Sequence, residues 1–257
     1  MITYRPSARF DKQAAVILLD ADQVRKKQFP FADKSLADEI TSLSRANQFS
    51  GENGELFPLV RGAKLCLLAG VGKKGKTSLT ALRVTVRKAI TSSYLKKVRD
   101  IEIVPHDQQD GIIKAVIEAV VLGTYAWRKY RSKDKDDKTV DAKNIFLACL
   151  RKKIYEETAV ICEGVNLSRN LINDNADTVT SEYLENVVRA LIKGQKHVSL
   201  KVLNRKELRR EGLNPVNLLF ALVGGEGRSA VEANIDGIVQ ASARPGAVAT
   251  EITDDGV

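Results

Sequence analysis

KLCLLAGVGKKGKTSLTALRVTVRKAI, Lys64 to Ile90, is the stretch on which the fold turns. Its first seven residues are a short apolar run and its middle is a turn rich in glycine and lysine. From Leu79 onward, apolar residues recur at Leu79, Leu82, Val86, Ala89 and Ile90. A continuous apolar strand passing through a tight turn into an amphipathic helix is the building unit of a sheet covered on both faces. The same alternation extends outward. AAVILLD (Ala14 to Asp20), IEIVP (Ile101 to Pro105), NIFLACL (Asn144 to Leu150) and VSLKVLN (Val198 to Asn204) read as further strands. Leu36, Ile40 and Leu43, then Ile112, Val116, Ala119, Val120 and Gly123, have helical spacing. The expected fold is α/β, a mainly parallel or mixed sheet flanked by helices.

The chain has 257 residues, of which 44% are hydrophobic and 28% charged, a balance that excludes an intrinsically disordered class. No run approaches the ~18 apolar residues of a membrane span. Met1 to Asp20 has no basic-then-apolar signal pattern, so a cytoplasmic location is expected. Cys66, Cys149 and Cys162 are odd in number and set in apolar runs, which reads as buried reduced thiols. His106 and His197 lie far apart, with no Cys or second His at ligand spacing, which argues against a His/Cys zinc site.

The net charge of +9 is unevenly placed. Residues 61–100 hold 11 basic side chains and one acidic one, whereas the other segments are close to neutral. A basic face of this kind suits nucleic acid or another acidic partner, and it is equally the pattern of a solvated helix face. The residues concerned are Lys73, Lys74, Lys76, Arg83 and Arg87, expected to face away from a buried stripe of Leu79, Leu82, Val86 and Ile90.

Gly70 to Thr77, GVGKKGKT, fits the phosphate-loop pattern G-x-x-x-x-G-K-[ST]. In that reading Gly70 and Gly75 let backbone N–H groups cradle phosphates, Lys76 reaches them, and Thr77 holds magnesium. No later strand ends cleanly in the Asp that would carry the metal, since IEIVPHD reaches Asp107 only through Pro105 and His106. A strand–turn–helix joint also uses glycines and lysines for reasons unrelated to a nucleotide. G-x-S-x-G and H-E-x-x-H are absent, and no acid/base pair stands out among the carboxylates. VGGEGRS (Val223 to Ser229) reads as a turn.

Lys152 to Ile172 has helical spacing with no Pro and one Gly, and suits a long helix leaving a first domain of residues 1–151. Asn173, Asp174, Asn175 and Asp177 stop it, and Thr180 caps a new helix beginning S-E-Y. Residues 173–222 then read as the start of a second, incomplete α/β unit, and 223–257 as a divergent, disordered tail.

Residues Glu163 to Leu191, EGVNLSRNLINDNADTVTSEYLENVVRAL, resemble the segment joining the two halves of leucyl (cytosol) aminopeptidases, E-x-V-N-L-x-R-D-L-V-N followed by a polar turn and T-P-E-x-L. HVSLKVLNRKELRREGLN continues the likeness. Upstream, the Lys64–Ile90 stretch is similar to that family's strand and G-L-G-K-K turn, and VLGTYAWRKYRSKDKDDK to its G-x-Y-x-F-x-x-Y-K-S segment. The resemblance spans roughly residues 1–222.

This resemblance implies a macro-domain-like amino-terminal α/β domain, a linking helix and the first elements of a catalytic domain. Family members are two-metal aminopeptidases, usually hexameric, that act on peptides with zinc or manganese held by Lys, Asp and Glu. The motifs that carry those ligands, of the types V-G-K-G-x-x-F-D-S-G-G, D-M-x-G-A and N-T-D-A-E-G-R-L, are not in this sequence. Glu226-Gly227-Arg228 echoes only three letters of the last. No catalytic or metal-binding residue is therefore expected in this chain. After Leu213 the sequence departs from the family, as a frameshift, a truncated gene or an incomplete gene model would produce. Two readings stand: a truncated, inactive relative of the aminopeptidases, or a non-catalytic module that binds DNA or another acidic partner through its basic face, as some relatives of this family bind DNA.

Overall fold

The computed structural model describes residues 2–130, 143–194, 198, 200–203 and 205–210. The strands are β1 (Ile2–Arg5), β2 (Ala14–Leu19), β3 (Leu56–Arg61), β4 (Lys64–Gly70), β5 (Asp100–Val104) and β6 (Asn144–Ala148). They form one sheet in the order β1-β6-β5-β2-β4-β3, in which every neighbouring pair is parallel except the β3–β4 hairpin. The helices are α1 (Ala21–Lys26), α2 (Lys34–Arg45), α3 (Leu79–Ile90), α4 (Asp110–Val121), α5 (Lys152–Asn173), α6 (Ser181–Ile192) and α7 (Arg205–Arg210), with a 3₁₀ turn at Ser93–Leu95.

The central strand explains the layering. All six residues of β2 are buried, because each face of the sheet carries its own helices. Ala14, Val16 and Leu18 join Leu67, Ile103 and Leu147 beneath α3, α4 and α5. Ala15, Ile17 and Leu19 point the other way, packing with Cys66 and Leu68 against Val24 of α1 and Leu36 and Ile40 of α2. Strands buried on both faces are uninterrupted apolar runs, which is why AAVILL and KLCLLAG lack alternation. All three cysteines are buried, and none is in a disulfide among the described residues.

Gly70 is required where β4 ends. A Cβ there would collide with the backbone of Gly51 and Glu52, which crosses the strand end. On the β1 side, the fully buried Glu102 accepts N–H groups of Arg9 (3.0 Å) and Phe10 (2.6 Å), which anchors the β1–β2 crossover to the sheet.

Several sequence expectations need correction. β1, β3 and α1 were not anticipated, since each is short and β3 is only partly buried. Of the expected strand Val198 to Asn204, the described residues 198 and 200–203 form none, and none of the six strands pairs with them. Leu79 does not join the buried stripe of α3: it is 40% exposed in the first helical turn, beside Gly111 of α4. Thr85 joins Leu82, Val86, Ala89 and Ile90 on the buried face instead.

The chain divides into two compact units, residues 1–166 and 167–257. Residues 152–166 of α5 fall within the first unit. Tyr155 donates its hydroxyl to the Ile2 carbonyl (2.9 Å) and packs on Tyr4, Cys162 enters the core, and Asn166 donates to the Val121 carbonyl (3.1 Å). In the second unit, Thr180 caps α6 by accepting the Tyr183 N–H, as its sequence indicates. The expected turn Val223 to Ser229, the tail 223–257, His197 and the charged segment Arg131 to Lys138 lie outside the described residues.

Candidate functional site

The carboxyl ends of β2, β4 and β5 meet at one edge, the usual place for a ligand crevice in an open parallel sheet. Here the edge is built from the loop after β4 and from Asp20, Gln23, His106 and Asp107. In the loop, several of the backbone donors that a phosphate would use have protein acceptors. Gly70 donates to Glu55, Val71 to Leu19, Gly72 to Gly51 and Lys76 to Lys73, all at carbonyl oxygens, and the Lys74 N–H donates to the Asp22 carboxylate (3.3 Å).

The helix also begins too late for a phosphate loop. α3 starts at Leu79, so Lys76 and Thr77 lie in the preceding turn, and the Thr77 hydroxyl donates to the Lys73 carbonyl (3.4 Å). Ser78 occupies the helix entrance, its hydroxyl accepting the Ala81 N–H (3.1 Å). Gly75 has φ +72° with open space around it, as a turn glycine does.

Beside this loop, Asp20 closes α1 with a capping box: it accepts the Gln23 N–H (2.7 Å) while the Gln23 side chain accepts the Asp20 N–H (3.0 Å). Gln23 then donates to the His106 carbonyl (3.0 Å). His106 Nδ1 is buried without a hydrogen-bond partner, and burial pushes the imidazole below its ordinary pKa although Asp20 and Asp107 oppose that shift. Burial raises Asp107, but N–H groups of Gln109 and Gln108 and the Lys74 ammonium (3.5 Å) outweigh it and hold its carboxyl below the usual range. Asp20-x-x-Gln23 is a capping box visible in the sequence, but its link to His106 arises only from the pairing of β2 with β5.

The basic residues of 61–100 do not form one free surface. Arg83 pairs with Glu118 of α4 (2.5 Å) and Lys74 with Asp107. Arg61 pairs with Asp33 and Glu39, and Lys64 and Lys88 donate to backbone carbonyls. Among the described residues, no ion pair engages Lys73, Lys76 or Arg87, all three of which are exposed. Arg83 and Arg87 share α3, whereas the three lysines share the loop before it.

Among the described residues, no group of three His, Cys, Asp or Glu side chains is disposed to hold a metal ion. The donors at the carboxyl edge do not fit the two divalent ions that the family resemblance implies, since Asp20 is committed to a helix cap and Asp107 to amides and an ammonium. No described helix is long and apolar enough to cross a membrane.

Comparison with known proteins gives this architecture a family. Residues 15–134 match the cytosol aminopeptidase family, N-terminal domain. A probable cytosol aminopeptidase of Protochlamydia amoebophila is 31% identical over 198 residues, covering 72% of this chain and 39% of the relative. One from Chlamydia abortus is 30% identical over 246 residues, covering 88% and 47%. Among solved structures, a tomato leucine aminopeptidase mutant superposes with a TM-score of 0.61 at 18% identity, over 84% of this chain and 47% of that one. The bottromycin maturation enzyme BotP in complex with Mn gives 0.57 at 18%, over 80% and 42%. These two structures share the fold. The chain spans less than half the length of each protein it matches here. It belongs to the cytosol (leucyl) aminopeptidase family, of which it carries the amino-terminal domain.

Proposed function

We propose that this chain is the amino-terminal, non-catalytic part of a two-metal leucyl aminopeptidase, an enzyme that removes amino-terminal residues from peptides in the cytoplasm, and that by itself it does not cleave them. The observation that carries the reading is the extent of the likeness: the family match covers the amino-terminal domain, and the relatives continue well past the aligned half. In the intact enzyme, zinc or manganese would sit on ligands supplied by the later half, and the assembly would be a homo-hexamer. The domain's own contribution is a rigid sheet that anchors α5, the helix leading toward that half. The test is release of leucine from a leucyl chromogenic amide by the purified 257-residue chain with manganese or zinc. No release is expected, and turnover above buffer would overturn the reading.

One observation favours a second reading, a binding module for DNA or another acidic partner. Lys73, Lys76 and Arg87 place three exposed cations outside the local ion pairs, within one loop–helix segment. Affinity for duplex DNA would then fall steeply with salt. Charge reversal at Lys73, Lys76 and Arg87 would weaken it more than reversal at the paired Lys74 and Arg83. Binding indifferent to salt and to these changes would eliminate this reading. A nucleotide at Gly70 to Thr77 is disfavoured by the donors already engaged there; unchanged behaviour of Lys76→Ala toward ATP would agree.

A further inference from the structure

The loop that crosses the end of β4 carries the sequence's one Asn-Gly pair, Asn53–Gly54. Gly54 has φ +82°, a conformation that favours glycine, so the turn into β3 itself calls for the residue that leaves the preceding asparagine unshielded. Such a pair is chemically reactive. The Gly54 amide nitrogen attacks Asn53 Cγ, the new C–N bond closes a succinimide ring, and the Cγ–Nδ2 bond breaks, releasing ammonia that carries off the Gly54 proton. Water then opens the ring at either carbonyl, leaving aspartate or isoaspartate at position 53. One water is taken up for each ammonia lost.

The fold holds both reacting groups. The Gly54 N–H donates to the Gly70 carbonyl (2.9 Å), which pins the nucleophile at the end of the β3–β4 hairpin. Asn53 Oδ1 accepts the hydroxyl of Thr85 (3.1 Å), a buried residue of α3, which ties the electrophile to a helix. Around them, the Glu55 carboxylate accepts the N–H groups of Ser50 (2.9 Å) and Glu52 (3.2 Å), and the Lys88 ammonium donates to the Gly54 carbonyl (2.6 Å). Ring closure turns the Asn53 side chain and the Gly54 nitrogen toward each other, so the bonds to Thr85 and Gly70 must break first. Asn53 is exposed, and water reaches it when they do. We propose that Asn53–Gly54 is a modification site gated by the fold, intact while it is bonded to Gly70 and Thr85 and converted to aspartate or isoaspartate when this edge opens. Aspartate keeps the chain length and can still accept the Thr85 hydroxyl. Isoaspartate adds a methylene to the backbone and moves Gly54 out of register with Gly70. The assignment does not depend on the reading of function above.

The test is peptide mapping by mass spectrometry of the full 257-residue chain, incubated at neutral pH in ¹⁸O-enriched water, folded and in guanidinium chloride. Conversion at Asn53 is read as uptake of the heavy oxygen, with Asn144, which precedes isoleucine, as the internal reference. Conversion at Asn53 is expected in denaturant, and at least about tenfold slower conversion in the folded chain. Thr85→Val removes the hydroxyl at little change in volume and should speed conversion in the folded chain about fivefold, while Thr91→Val on the same helix leaves the rate unchanged. Circular dichroism confirms that each variant is folded; should Thr85→Val fail to fold, the two rates of the parent decide alone. Equal rates in the folded and unfolded parent would overturn the proposal, as would no conversion in denaturant or a folded Thr85→Val that converts no faster than the parent.

Discussion

The two ends of the sheet contrast in how their polar groups are used. At the carboxyl end, Gly70, Val71, Gly72 and Lys76 turn their N–H groups onto neighbouring carbonyls, the Gly51–Glu52 segment crosses the strand end, and Gln23 links Asp20 to the His106 carbonyl. At the amino end, the helix termini stand apart around a cleft with charges of both signs. Parallel sheets commonly bind ligands at the carboxyl end. This domain closes that end, so its motif of glycines and lysines acts as a joint between β4 and α3. Substitutions at the closed end should therefore be felt as lost stability, more than those on the rim of the open cleft.

The largest effect is expected at Gly70. A side chain there must displace the backbone of Gly51 and Glu52, so Gly70→Val should lose about 3 kcal/mol or more in urea unfolding. Gly75→Ala, with positive φ but nothing nearby, should lose only about 1 kcal/mol. Equal losses would mean that the loop, not the strand end, is the constrained part. Next comes Asp20→Ala, which removes the buried cap of α1 and should cost about 1–2 kcal/mol; a neutral result would show that the capping box does not hold this edge.

His106 gives a smaller effect that depends on pH. Because its folded pKa lies below the ordinary value of 6.5, the unfolded chain takes up the proton first as pH falls. Stability should be complete above about pH 6.5 and decline below it toward the folded pKa. Asp20, Asp107 and Lys74 face this group, and Asp107 titrates at lower pH. Urea midpoints of the parent and His106→Gln, compared between pH 7 and about 5.5, should diverge at neutral pH and converge on acidification. Parallel curves would remove His106 as the cause. The smallest effect belongs to Arg83 and Glu118, which are both partly exposed: a double-mutant cycle should give a coupling of about 0.5 kcal/mol.

Much of this fold was legible because burial on both faces leaves unbroken apolar runs at β2 and β4, and helical spacing marks α2, α3, α4 and α5. What was missed depended on pairing. β1 is four residues long, and β3 is recognisable only as the hairpin partner of β4, with Leu59 opposite Cys66. The segment 64–90 was correctly placed as strand, turn and helix, but its letters could not reveal which carbonyls would accept its N–H groups. The basic excess was likewise visible as a count, whereas the pairing of Arg83 with Glu118 and Lys74 with Asp107 requires α4 and β5 to arrive alongside. The amino-end cleft combines residues from position 2 to position 166 and has no local signature.

The closure of the carboxyl end is tested most directly by following backbone amide resonances of the ¹⁵N-labelled chain during titration with ATP. The account predicts no saturable change at Gly70 to Thr77. Saturable shifts centred on Gly70 to Thr77 would contradict it.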